Sequence, residues 1–73
     1  MDNIDNFDRE VIKNINNYVL VNNLSIRKIA DMSGISYHRL WSILEKSNSI
    51  KLSDYIAICN VCCEPLDYFL PQN

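Results

Sequence analysis

The chain has 73 residues, which is enough for one small domain and too few for two. Hydrophobic residues make up 48% of it and one residue is glycine, a composition typical of a folded protein. No apolar run approaches the roughly 20 residues of a transmembrane helix, and the N-terminal sequence MDNIDNFDRE has no secretory signal pattern. We therefore expect one cytoplasmic domain over residues 1–73, with no membrane association.

Charge is distributed unevenly along the chain. The formal net charge is −2, which argues against a strong general affinity for polyanions. Residues 25–51 carry five basic and two acidic residues. Residues 1–24 carry two basic and four acidic residues, and residues 52–73 carry three acidic residues and no basic one. We therefore expect any contact with a polyanion to come from residues 25–51, the middle third of the chain.

Three cysteines, Cys59, Cys62 and Cys63, lie within five positions. Their number is odd, and near neighbours on a helix cannot pair easily without distortion. The only histidine, His38, is distant in sequence, so no fourth metal ligand is evident. We expect reduced, structural cysteines and no metal or other cofactor.

Apolar residues recur at helical spacing along most of the chain. The first predicted helix runs from Phe7 to Val21 and stops at Asn22-Asn23. Its apolar positions are Phe7, Val11, Ile15, Tyr18 and Val19.

Two short helices are predicted next. Ser25 is a good N-cap for the second helix, which buries Ile29 and Ala30 and ends before Gly34. Gly34 indicates a turn with positive φ or a close backbone contact. Ser36 caps a third helix that reaches about Lys46, followed by a polar loop at residues 47–49. The inward positions of this third helix are Leu40, Ile43 and Leu44.

The last third predicts two more helices and no strand, because no segment alternates between apolar and polar residues. Pro65 suits the first turn of a very short fifth helix, which Pro71 ends. The apolar positions of the fourth helix are Leu52, Tyr55, Ile56, Cys59 and Cys62, and those of the fifth are Leu66, Phe69 and Leu70.

The second and third helices, separated by a glycine-containing turn, form a helix-turn-helix pattern. The run Ala30-Asp31-Met32-Ser33-Gly34-Ile35-Ser36 resembles the A-x-x-x-G-[VI]-S core of Cro/cI-type (XRE-like) domains. The similarity continues through residues 52–59 and 66–70, and so covers about residues 7–70. It implies an all-α, five-helix Cro/cI-type helix-turn-helix domain, with the motif at about residues 25–46.

In that family the second helix of the motif enters the DNA major groove with its N-terminal residues on base edges. Arg39 is the strongest candidate contact, because a guanidinium grips guanine or phosphate through two hydrogen bonds. The residues that the resemblance marks for binding DNA or a partner are Ile26, Arg27, Lys28, Ser36, Tyr37, His38, Arg39, Trp41, Ser42 and Lys46.

Three positions depart from the family pattern. Ile26 stands where the family usually has a phosphate-gripping Gln, and the recognition face is aromatic and poor in Gln, Asn and Arg. Cys63 stands where the family prefers a C-cap glycine. Ile26, Tyr37 and Trp41 form an exposed apolar patch on one interpretation. On the other, Trp41 folds back to fill core space left open by Leu44, while His38, Lys28 and Lys46 are ordinary solvated residues.

Two functions are consistent with these residues. The first is a small DNA-binding transcriptional regulator, similar to the Cro-like or modulator proteins of temperate phages and mobile elements. The second is an antirepressor that uses the same fold to bind another regulator protein, such as the DNA-binding domain of a phage repressor. Catalysis is not expected, because the sequence offers no phosphate-binding glycine loop and no nucleophile with a plausible histidine and carboxylate.

A homodimer is a further expectation, since one module of this size contacts only half of a DNA site. The dimer surface predicted from the sequence is the exposed part of Tyr68, Phe69 and Leu70. The alternative for these three residues is simple closure of the core.

Overall fold

The computed structural model describes residues 3–46 and 50–71, with side chains from residue 7 onward. This part of the chain is all-α and forms four helices: α1 (Asn3–Val21), α2 (Ile26–Ser33), α3 (Tyr37–Lys46) and α4 (Leu52–Cys62). None of the helices in these ranges is long and apolar enough to cross a membrane. The polar loop predicted at residues 47–49 lies outside the described residues.

Helix α1 ends where the two asparagines predict that it should. Val21 is its last residue, and Asn23 adopts a positive φ of 58°, which Asn tolerates better than most residues. The N–H of Leu24 then donates to the carbonyl oxygen of Val19 at 2.9 Å, which turns the chain back toward α2. The helix begins at Asn3, four residues before the predicted start.

The boundaries of α2 and α3 are confirmed as predicted. Ser25 Oγ accepts the N–H of Lys28 at 3.1 Å, and Ser36 Oγ accepts the N–H of Arg39 at 3.2 Å, so each helix has a side-chain N-cap. Gly34 lies between them with φ +83°, and its N–H closes α2 on the carbonyl oxygen of Ala30 at 3.0 Å. Glycine is favoured here because the left-handed conformation is costly for residues with a Cβ.

The predicted fifth helix is wrong. Residues 66–69 form consecutive turns, in which Tyr68 N–H donates to the Pro65 carbonyl at 3.0 Å and Leu70 N–H to the Asp67 carbonyl at 3.3 Å. Pro71 cannot extend a helix, and it disfavours helical backbone at the residue before it. The described residues therefore contain four helices followed by a C-terminal tail, residues 63–71.

Other helices hold this tail through its backbone carbonyls. Asn14 Nδ2 donates to the Phe69 carbonyl at 2.8 Å, and the Tyr55 hydroxyl donates to the Leu66 carbonyl. Phe69 itself is almost fully buried, and it meets the ring of Tyr18 edge-on at a centroid distance of 5.4 Å. Phe69 therefore closes the core. Of the two roles predicted for it, core closure and a dimer surface, its burial favours the first.

One core joins all four helices and the tail. Helix α2 packs against both α3 and α4, and α1 packs against α3. Ile12 and Ile58 are fully buried although the sequence pattern did not single them out, whereas Phe7 and Leu52 are exposed although it did. The buried hydrophobic residues are Val11, Ile12, Ile15, Ile29, Ala30, Ile35, Leu40, Ile43, Leu44, Tyr55, Ile58, Cys59 and Phe69.

The three cysteines are free thiols in different environments. Cys59 is buried in the core, Cys62 is half-buried and Cys63 is exposed. Burial raises the pKa of the Cys59 and Cys62 thiols. The part of the chain that the structure describes has no group of three or more side chains placed to hold a metal ion.

Candidate functional site

Helix α3 buries one side and exposes the other. Its inward residues Leu40, Ile43 and Leu44 are buried, as predicted. Six residues of α3 are exposed. We call four of them the α3 face: Tyr37, His38, Trp41 and Lys46; the other two are Arg39 and Glu45. Burial of the three aliphatic residues thus determines which side chains α3 offers to a ligand.

Each large aromatic ring of the α3 face lies beneath a cation. The guanidinium carbon of Arg27, from the first turn of α2, lies 4.7 Å from the centroid of the Tyr37 ring. The ammonium nitrogen of Lys46 lies 5.8 Å from the centroid of the Trp41 ring. Both distances are within the range of cation–π attraction. The result is a surface on which positive charge and aromatic area alternate.

Trp41 remains accessible despite its size. Its exposed fraction is 37%, compared with 41% for Tyr37. Leu44 is itself buried and fills the core space that the alternative assigned to Trp41. A half-exposed Trp beside a half-exposed Tyr is the composition of a binding surface, because these residues anchor many interfaces.

Arg39 is engaged within the molecule. Its Nε and Nη2 atoms donate to the same oxygen, Oδ2 of Asp54, at 3.1 and 2.7 Å. Asp54 lies in the first turn of α4, and its side chain is only 12% exposed, whereas the Arg39 side chain is 42% exposed. The residue that the sequence marked as the main DNA contact therefore bridges two helices.

Asp54 is the residue of this site that sequence reasoning missed. Its position among the buried residues of α4, immediately before Tyr55, is the signal that an inward carboxylate exists. A buried carboxylate requires a partner, but the sequence does not identify a cation 15 positions earlier as that partner.

No protein-family model, curated protein or solved structure matches this chain significantly.

The other predicted residues divide between cap, core and surface. Ser36 is occupied as the N-cap of α3, and Ile26 is half-buried against the core, so it contributes only part of its side chain to a surface. Lys28 is exposed in the first turn of α2, and Ser42 is half-buried in α3. The structure therefore places Arg27 against the α3 face and leaves Lys28 exposed on α2, and it assigns Ser36 and Arg39 internal contacts.

A second surface lies away from α2 and α3. An apolar groove runs between the beginning of α1, the beginning of α4 and the tail, and no residue of α2 or α3 lines it. Of the predicted dimer surface, Tyr68 is exposed and Leu70 lines this groove. The lining residues are Phe7, Asp8, Val11, Ile50, Leu52, Tyr55, Ile56, Leu66 and Leu70.

Proposed function

We propose that the chain is a small DNA-binding regulator in which α2 and α3 form a Cro/cI-type helix-turn-helix and α3 is the recognition helix. The observation that carries the proposal is the α2–turn–α3 unit. Its left-handed Gly34 and its two serine caps define the turn between two short helices that pack against each other, while the α3 face remains exposed beside Arg27 of α2. This is the arrangement by which such proteins present a helix to a base sequence.

The dimensions of α3 support contact with the DNA major groove. An α-helix with its side chains is about 10–12 Å across, which fits a groove about 12 Å wide, and the ten residues of α3 give it a length of about 15 Å along the groove. In that position the exposed Tyr37, His38 and Trp41 lie toward base edges, with Ser42 beside them. Tyr and Trp offer apolar contact with the thymine methyl group and few specific hydrogen bonds.

Cations flank this face and supply the phosphate contacts of the proposal. Arg27, Lys28 and Lys46 are exposed, and each phosphate that a cation neutralises releases a counterion from the DNA. The resulting affinity is strongly dependent on salt. Because only a few cations are present and the net charge is −2, useful affinity requires two copies on adjacent half-sites.

The decisive experiment measures binding to the protein's own promoter region by gel shift, at about 50 and 200 mM salt. We expect specific binding that weakens steeply between these concentrations. Lys28→Gln should weaken binding at low salt and reduce the slope of log affinity against log salt by about 0.9. Lys13→Gln, the same exchange at an exposed residue of α1, is the matched control and should change neither quantity.

The proposal fails if the wild-type protein does not bind at low salt, or if the two lysine variants behave alike. The first outcome favours the second candidate, an antirepressor that binds the DNA-binding domain of a phage repressor. The cation-covered Tyr37 and Trp41 support that candidate, because Trp, Tyr and Arg are the preferred anchors of protein interfaces. In that case Trp41→Ala abolishes binding to the partner, and the affinity of the wild-type protein responds little to salt.

A further inference from the structure

The ion pair between Arg39 and Asp54 is a direct bridge between α3 and α4. The principal helix contacts of the described chain are α2 with α3, α2 with α4, and α1 with α3. Helices α3 and α4 thus meet mainly through their shared neighbour α2. A side-chain bridge with donor–acceptor distances of 2.7 and 3.1 Å is well placed to fix one helix relative to the other.

Both ends of the bridge are held firmly. Arg39 donates its backbone N–H to the N-cap Ser36, so its main chain is anchored where α3 begins. Asp54 is buried in the first turn of α4, where the positive end of the helix dipole also favours its carboxylate. A planar guanidinium that uses two donors on one oxygen restricts orientation more than a single ammonium contact does.

We propose that Arg39 is a positioning residue: its ion pair with Asp54 sets the angle at which α3 presents the α3 face. This inference rests on the proposed function for its DNA-binding consequence. The orientation of α3 itself is measurable without DNA. Arg39 then contributes to recognition through the placement of Tyr37, His38 and Trp41, and not as a counter-charge for phosphate.

The two roles of Arg39 predict different responses to mutation. A phosphate contact contributes about 0.9 to the slope of log affinity against log salt, and removing it lowers the slope by that amount. If Arg39 serves as such a contact, removing the Asp54 carboxylate leaves the affinity unchanged or raises it, because a competing anion is lost. If Arg39 is a positioning residue, loss of either partner lowers the affinity and leaves the slope unchanged.

The test uses Asp54→Asn, Arg39→Gln and the double variant in salt-dependent DNA binding. We expect each single variant to bind about tenfold more weakly, with an unchanged slope. The double variant should be no weaker than the weaker single variant, because both exchanges remove the same bridge. An unchanged or higher affinity of Asp54→Asn, or a slope that falls by about 0.9 in Arg39→Gln, overturns the proposal.

A milder variant covers the case in which Arg39→Gln does not fold, since it leaves a buried carboxylate unpaired. Arg39→Lys keeps the charge but not the two-donor geometry, and it should bind several-fold more weakly with an unchanged slope. Arg9→Lys, the same exchange at an exposed residue of α1, should bind as the wild type does. Equal affinity of Arg39→Lys and the wild type contradicts a positioning role.

Trp41 fluorescence separates failure of this inference from failure of the proposed function. Trp41 is the only tryptophan and follows Arg39 by two positions on α3. In the free protein, Asp54→Asn should shift the Trp41 emission and its quenching by acrylamide while the circular dichroism stays helical. An unchanged Trp41 signal overturns the inference even if DNA binds. A changed signal supports it even if DNA does not bind.

Discussion

Cys63 has a backbone conformation that few residues with a Cβ adopt. Its φ of 58° and ψ of 38° are left-handed, and its N–H closes the C-terminus of α4 on the carbonyl oxygens of Asn60 and Cys59. Such a conformation costs about 1–2 kcal/mol for an L residue, and glycine is the usual residue at this helix-capping position. The thiol is exposed, so no core packing requires it.

We expect Cys63→Gly to stabilise the fold. Relief of backbone strain outweighs the greater freedom that glycine gives the unfolded chain, so the free energy of unfolding should rise by about 0.5–1 kcal/mol. Urea denaturation followed by circular dichroism measures the change. Cys63→Ser keeps the Cβ and removes the thiol, and it should leave the stability near that of the wild type. Destabilisation by glycine contradicts this account of the cap.

Among the secondary-structure elements, the tail depends most on other parts of the chain. Tyr55 donates its hydroxyl to the Leu66 carbonyl, and Tyr18 donates to Glu64 Oε2 at 3.1 Å. Burial raises the pKa of both tyrosines to about 12, and for Tyr18 the nearby Glu64 carboxylate adds to the effect. These hydroxyls hold the tail only while they are protonated.

The pKa values predict that the fold weakens in alkali. Below pH 10 both tyrosines are protonated in the folded and the unfolded chain, so they make their full contribution to the free energy of unfolding. Between about pH 10 and 12 the unfolded chain ionises first, and stability falls. The rise of two pKa units at the buried Tyr55 corresponds to a loss of about 2.7 kcal/mol at most in the free energy of unfolding. Thermal unfolding at pH 8 and 11 should therefore show a smaller alkaline loss for Tyr55→Phe than for the wild type.

Tyr68→Phe is the control for the alkaline experiment. Its ring is half-exposed and lies beside Phe69 at the surface of the tail. It should retain the full alkaline loss of stability. An alkaline loss in Tyr55→Phe as large as in the wild type contradicts the role assigned to the buried hydroxyl.

Helix boundaries were predictable where local chemistry determines them. Ser25, Gly34 and Ser36 act on backbone within four residues of themselves, so α2, the turn and α3 follow from short-range signals. The tail was not predictable in the same way. The carbonyls of Leu66 and Phe69 accept hydrogen bonds from α4 and α1, and these partners are distant in sequence.

The candidate site shows the same limit. The exposed positions of Tyr37 and Trp41 follow from helical periodicity once Leu40, Ile43 and Leu44 are assigned to the core. The contact of Arg39 with Asp54 does not follow from helical periodicity, because it depends on how α3 and α4 are placed in three dimensions. Periodicity also assigned Leu52 inward, but it begins α4 and is left exposed by the residues that the structure describes.

At the scale of the whole molecule, the apolar groove is the surface through which we expect two copies to meet. Phe7, Leu52 and Leu66 surround it and are exposed, and exposed clusters of this kind mark interaction sites. No residue of α2 or α3 lines the groove. We therefore expect pairing through it to leave both α3 faces available for two half-sites, as the proposed function requires.

A pair of matched variants tests this dimer. Leu52→Ser removes an apolar side chain that is 73% exposed at the groove, and Leu20→Ser removes one that is 78% exposed at the end of α1. Sedimentation equilibrium at micromolar concentration should show weaker self-association for Leu52→Ser and no change for Leu20→Ser. Equal association of the two variants and the wild type contradicts a groove-mediated dimer.

We expect air to oxidise the protein first at the exposed thiol at the end of α4. Cys59 is buried and Cys62 is half-buried, so Cys63 is the sulfur atom that a second molecule meets most easily. Two copies joined by a Cys63–Cys63 disulfide have doubled mass whether or not their grooves touch. Such a covalent pair, formed during storage, runs as a dimer on a non-reducing gel and as a monomer once a reductant is added. Freshly reduced protein is therefore the sample from which a true association constant is obtained.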